Sequence, residues 1–124
     1  NYGFMPRTLG DDHDPLDILV LSQIDIEPLC VVRAKVIGVM RMLDNGEGDD
    51  KLIAVAADDV SVAHIPGLKD LPEHLGSEII QFFRAYKRLE NKTAEVDELQ
   101  NAEMAKTILR KAIEDYKAAY PTSA

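Results

Sequence analysis

The chain has 124 residues, enough for one domain of ordinary size. Its 46% apolar content can bury a core, and no apolar run approaches the roughly 20 residues of a membrane helix. Net charge is −8, with the basic residues scattered, which argues against a nucleic-acid partner. No secretory pattern of basic and then apolar residues opens the chain. The single cysteine, Cys30, excludes an internal disulfide framework and fits a reducing compartment. It opens an apolar run and has no histidine arrangement beside it, so a structural role outweighs that of a nucleophile.

Residues 1–16 read as loop, punctuated by Gly3, Pro6, Gly10 and Pro15. Residues 18–21 form a short apolar run that predicts a buried strand. Residues 31–43, rich in β-branched side chains, predict a longer strand with a bend or bulge at Gly38. An acidic, glycine-rich turn over 44–50 leads into a returning strand over 52–56. After Pro66-Gly67, Pro72 suits the first turn of a helix with Asp70 near its cap. Leu75, Ile79, Phe82, Phe83 and Tyr86 then recur at helical spacing. Residues 92–99 are ambiguous between loop and short strand. Asn101 suits an N-cap, followed by the stripe Ala105, Ile108, Leu109, Ala112 and Tyr116, with Pro121 as a stop. Three strands followed by two helices cannot close a barrel, and long unpaired edges are a liability. The chain starts at Asn1 without an initiator Met. Further strands are therefore expected upstream of Asn1.

The chemistry concentrates in acidic loops. Asp11, Asp12, Asp14 and Asp17 fall within seven residues. Such like charges repel unless a cation neutralises them, and hard divalent ions prefer carboxylate oxygen. An EF-hand is excluded: counted from Asp12, Leu16 falls at position 5 and Gln23 at position 12. A solvated acidic turn weighs about equally until the second acidic loop is considered. Asp44 and Asp49 with Lys51 sit where a hairpin turn could face the same basin, and several carboxylates imply more than one metal ion, the usual arrangement for phosphoryl transfer to water. Glu47, Asp50, Asp58 and Asp59 read as surface residues. Tyr86-Lys87 offers a hydroxyl and an ammonium to a phosphate, although spacing alone favours a stripe residue and a solvated lysine. His13, His64 and His74 lack ligand spacing. No P-loop or nucleophile elbow is present.

These residues together resemble the family I soluble inorganic pyrophosphatases. The resemblance runs through Asn1-Tyr2-Gly3-Phe4, Asp12-x-Asp14-Pro15-Leu16-Asp17, residues 33–38, the turn Asp44-x-Gly46-Glu47-x-Asp49-Asp50-Lys51 and Phe82-Phe83-x-x-Tyr86-Lys87. It covers the chain to about Leu89. It implies an α+β, mainly β fold: an OB-type five-stranded barrel, its early strands absent here, with two C-terminal helices. It implies a single domain over 1–124 lacking its N-terminal part. It also implies cytoplasmic, Mg²⁺-dependent hydrolysis of pyrophosphate to two phosphates, with several Mg²⁺ per site, in a homo-oligomer (dimer or hexamer) without nucleic-acid or membrane partners.

By position, Asp12, Asp17, Asp44 and Asp49 resemble metal ligands, and Asp14 resembles the general base toward the attacking water. Tyr2 resembles its neighbour at the nucleophile. Tyr2, Lys51, Tyr86 and Lys87 resemble the substrate-binding groups. Asp11 reads as surface. His13 stands where the family motif usually carries Gly, Asn or Ser. The family also uses acidic and basic residues from strands upstream of Asn1, so residues 1–124 alone are expected to be impaired. The alternative is a catalytically silent metal-binding or interaction module on the same fold. Hydrolysis of another small phosphate ester or polyphosphate fits the same ligands.

Overall fold

The computed structural model describes residues 1–44, 46–89 and 94–121; the side chains of 44, 86–89 and 94–98 lie outside that description. Among the described residues six strands form one mixed sheet with two helices: β1 (Tyr2–Phe4), β2 (Asp17–Leu21), β3 (Ala34–Asp44), β4 (Glu47–Gly48), β5 (Lys51–Ala56), α1 (Glu73–Leu89), β6 (Ala94–Asn101) and α2 (Ala102–Ala119). The expected α+β arrangement, a sheet followed by two late helices, is present. Of the ambiguous stretch 92–99, residues 94–99 are strand, and 92–93 lie outside the described residues. The segment 31–33, expected in β3, lies outside it, and Val31 is almost fully exposed. Residues 1–16 are not all loop, because Tyr2–Phe4 pairs antiparallel with β2. Three residues are too few for an alternation signal, and the pairing is supplied by β2 rather than by β1's own composition.

The sheet runs β1-β2-β5-β3, with β4 and β6 also paired to β3. The β2–β5 pair is parallel, with Asp17 opposite Lys51 and Leu21 opposite Val55. The β3–β5 pair is the expected antiparallel hairpin. β5 is buried along its whole length: its apolar run over 52–56 suits a central strand, and Lys51 at its start is buried with the carboxylates it pairs.

Alternation divides the core in two. Ile18, Val20, Leu52 and Ala54 face α2, where Ala105 and Ala112 are buried. Ile53, Val55, Met40 and Met42 face α1, where Ile79 and Phe83 are buried. The β3 strand changes phase along its length. Val36 packs on the α2 side, Ile37 on the α1 side, and Val39 again on the α2 side. The cause is the register shift between Val36 and Gly38, the expected bulge. Glycine is required there because a Cβ would lie 2.8 Å from the Gln100 carbonyl oxygen of β6 and overlap the Leu68 side chain.

Helix α2 starts as expected, with the Asn101 side chain accepting a hydrogen bond from the Met104 amide at 3.0 Å. No helix among the described residues is long and apolar enough to cross a membrane.

The turn after β5 is tied to the end of β2 by one carboxylate. Asp59 accepts from the Ser61 hydroxyl and amide, the Gln23 amide and the Ser22 hydroxyl. It is an anchor, not the idle surface acid expected. The Ser61 hydroxyl and the Gln23 amide pull its pKa down to about 2. A depressed carboxylate pKa contributes stability that is complete above the ordinary value of 3.8 and lost as pH falls through about 2. Asp59→Asn is therefore expected to lower Tm at neutral pH. The gap from the parent should narrow as pH drops from 3.8 toward about 2 in parallel calorimetric scans; a gap independent of pH would contradict the assignment.

Candidate metal and phosphate site

The site grows from the parallel register. Asp17 begins β2 and Lys51 begins β5, side by side. Asp49, two residues before Lys51, shares its face, and the Asp49 amide is held by the Met42 carbonyl at 2.9 Å. The Lys51 ammonium donates to Asp49 Oδ1 at 2.8 Å and to Asp17 Oδ2. The Lys51 side chain is 5% exposed and that of Asp49 8%. Burial works to lower the Lys51 pKa, but hydrogen bonds to Asp17 and Asp49 outweigh it and hold the ammonium well above its ordinary value.

Tyr2 completes this corner. Its ring lies 5.9 Å from Lys51 Nζ and 6.2 Å from the Phe83 ring of α1. Burial, helped by the Asp17 charge and opposed by Lys51, raises the Tyr2 hydroxyl pKa, so the phenol stays protonated and can donate.

The loop before β2 is a tight turn. The Gly10 amide donates to the Asp14 carbonyl at 2.8 Å, the His13 amide to the Gly10 carbonyl at 3.0 Å, and the Asp14 amide to Asp12 Oδ1 at 3.1 Å. His13 sits at φ 67°, in the left-handed region. That explains a position where Gly or Asn serves well; His is among the side chains that tolerate it. Asp12 is thereby aimed inward. Burial raises its pKa, and the charges of Asp49 and Asp14 add to the effect. Asp14 itself is exposed and does not line the cavity that Asp12 enters.

That cavity, about 240 Å³, is lined by Asp11, Asp12, Asp17, Asp49, Asp50 and Asp115, with Arg41 and Lys111 the cations among its lining residues. Six carboxylates against two cations leave a strongly negative basin, and the oxygen donors suit hard divalent ions. Asp12, Asp17 and Asp49 are the described residues best placed to hold them. No three such groups already converge as a ready metal cluster among the described residues. Between Asp17 and Asp49 stands the Lys51 ammonium instead.

The side chains of Asp44, Tyr86 and Lys87 lie outside the described residues; their backbones lie at the end of β3 and in the last turns of α1. The sequence reading missed five lining residues. Asp11 and Asp50, read as surface, belong to the cavity wall, and Asp50 is only 13% exposed as it pairs with Arg41 at 3.0 Å. Asp11 reaches over the hairpin: a Cβ on Gly48 would lie 2.8 Å from Asp11 Oδ2. Lys111 and Asp115 arrive from α2, where Lys111 pairs with Asp115 at 2.7 Å and lies 3.6 Å from Asp11. The signal available for Asp50 was its odd phase between Asp49 and Lys51. For the α2 residues sequence offers none, since helix docking decides their place.

The model of the family described as inorganic pyrophosphatase matches residues 1–117. The chain belongs to the inorganic pyrophosphatase family. The soluble inorganic pyrophosphatase 2 of Chlamydomonas reinhardtii is 49% identical over 120 residues, covering 97% of this chain and 62% of that protein. The soluble inorganic pyrophosphatase of Oryza sativa subsp. indica is 48% identical over 118 residues, covering 95% of this chain and 55% of that one. The chain thus spans between half and two thirds of these pyrophosphatases. Among solved structures, the inorganic pyrophosphatase of Helicobacter pylori superposes with a TM-score of 0.89 at 42% identity, over 94% of this chain and 71% of that one. That of Thermus thermophilus gives 0.88 at 40%, over 94% and 68%.

Lys51→Met would leave the Asp17 and Asp49 carboxylates without the ammonium they share. Removing one partner from a buried ion cluster typically costs ~3–5 kcal/mol. A loss of about 3 kcal/mol is expected in urea denaturation without divalent ions, and a loss below ~1 kcal/mol would contradict a structural role for the pair.

Proposed function

We propose that the protein hydrolyses pyrophosphate to two phosphates with Mg²⁺, as an inorganic diphosphatase acting in the cytoplasm as a homo-oligomer (dimer or hexamer). We further propose that residues 1–124 form one domain whose sheet belongs to an OB-type barrel completed by strands upstream of Asn1. Family membership supports each of these readings. The observation that carries the chemistry is the cavity of six carboxylates beside a buried, charged lysine. An acidic basin alone repels a polyanion; with divalent ions it receives one.

In this reading Asp12, Asp17, Asp44 and Asp49 hold Mg²⁺. When bound, Mg²⁺ supplies charge neutralisation for the phosphates and a lower pKa for the attacking water. Asp14 accepts the proton of that water; its exposed carboxylate is free of the constraint that the Asp14 backbone places on Asp12. The Tyr2 hydroxyl, protonated at neutral pH, donates a hydrogen bond beside the nucleophile. Lys51, with Tyr86 and Lys87 of α1, binds phosphate oxygens and offsets charge on the departing phosphate. The hydroxyls and ammonium groups do this at fixed positions, so the gain is greatest where water is excluded.

Phosphate release from pyrophosphate by the full-length protein with Mg²⁺ tests the reading. Asp14→Ala is expected to lower kcat by about 10²–10⁴-fold while the fold, followed by circular dichroism, is kept. Release no greater than background, or release unchanged in Asp14→Ala, would sink it. Mg²⁺ binding without any release would favour the silent metal-binding module.

A further inference from the structure

Lys51 faces the α1 side of the sheet, where it meets Tyr2 and Tyr2 meets Phe83, and its partner Asp49 reaches the cavity that α2 also lines. Asp50, one residue out of phase, points to the α2 side. There its carboxylate is 13% exposed and receives Arg41 Nε at 3.0 Å. Arg41 follows the phase of Val39, the α2 phase set by the Gly38 bulge, and its Nη1 lies 3.9 Å from Met104 Sδ of α2. Around this point the β3–β5 ladder is fixed on both sides, by the Asp49 amide to the Met42 carbonyl and by Met40 opposite Lys51. The ion pair beside the backbone between Asp49 and Lys51 is that of Arg41 and Asp50.

We propose that Arg41 and Asp50 form a positioning pair: from the α2-side wall of the same cavity, they hold the backbone that aims Asp49 at the metal basin and Lys51 at the phosphate. This rests on the pyrophosphatase reading given above. The physical reason for coupling is the short lever. A mostly covered carboxylate that loses its guanidinium swings toward water, and both neighbours in the chain move with it. The Asp11 charge, which also faces Asp50, increases the push once Arg41 is gone.

The test uses the full-length protein and Arg41→Met, Arg41→Lys, Asp50→Asn and the double variant Arg41→Met/Asp50→Asn. Calorimetric titration with Mg²⁺ alone gives metal affinity, and pyrophosphate turnover gives kcat and KM separately. Supporting residues behind ligands typically change affinity or activity by about 10–100-fold. Arg41→Met is expected to weaken Mg²⁺ about tenfold and to lower kcat more than it raises KM. Arg41→Lys should recover part of the loss, and the double variant should lie closer to the parent than Arg41→Met does, because no lone, mostly covered charge remains. Mg²⁺ affinity and kcat both within about threefold of the parent in a folded Arg41→Met overturn the proposal, whatever happens to Tm. If Arg41→Met does not fold, Asp50→Asn is held to the same threshold. A parent chain that binds Mg²⁺ yet releases no phosphate sinks the functional reading only, and the titration then decides the pair alone. A parent that binds no Mg²⁺ sinks both.

Discussion

One ammonium shared by two carboxylates sets the geometry of this protein's acidic end. Lys51 reaches Asp17 across the parallel β2–β5 pair and Asp49 along its own chain. Two carboxylates this close would repel without it, and a buried lysine without them would lose its proton. Each group makes the others tolerable in their charged forms. Asp17 and Lys51 begin adjacent strands, and Asp49, in the connection just before β5, is tied to β3 through its amide, so backbone hydrogen bonds fix all three. One cation and two carboxylates are thereby placed in one spot by the backbone.

The sheet's alternation then separates tasks. The face toward α1 carries Lys51, Tyr2 and Phe83; the face toward α2 carries Arg41 and Asp50, with Lys111 and Asp115 reaching in from the helix. The bulge at Gly38 keeps this division consistent. Upstream of it even-numbered residues of β3 face α2, and downstream odd-numbered ones do. Without that phase change Arg41 would point away from Asp50. The glycine permits the close approach of β6 that holds the bulge in place. A packing feature more than two turns of chain from the acidic loops thus decides which side chains reach them.

Much of this was legible in the residues. The strand of β2, the hairpin of β3 and β5, the Gly38 bulge and the Asn101 cap follow from local composition, because each is decided by a few neighbouring residues. What composition could not supply was partnership. Tyr2–Phe4 is a strand only because β2 lies beside it, and residues 94–101 become β6 because β3 offers a free edge. Val31 has every local reason to be in a strand and lies exposed outside it. The acidic residues divide similarly. Asp12, Asp17 and Asp49 stood out by spacing and enter one cavity. Asp50 and Asp59 looked like ordinary surface acids, yet the first is a partly covered member of an ion pair and the second anchors a turn through four hydrogen bonds. Their roles depend on Arg41, Ser22 and Gln23, which are distant in sequence or unremarkable in type.

The central claim is that the basin shaped by Lys51, Asp17 and Asp49 is a divalent-metal site. The most direct measurement is an anomalous difference map from crystals of the full-length protein grown with Mn²⁺. The expected result is a strong peak within coordination distance, about 2.0–2.2 Å, of carboxylate oxygens from Asp12, Asp17 or Asp49, with Lys51 Nζ still in contact with at least one of the last two. A map with no peak in that cavity at saturating Mn²⁺, and Lys51 unmoved between Asp17 and Asp49, would contradict it.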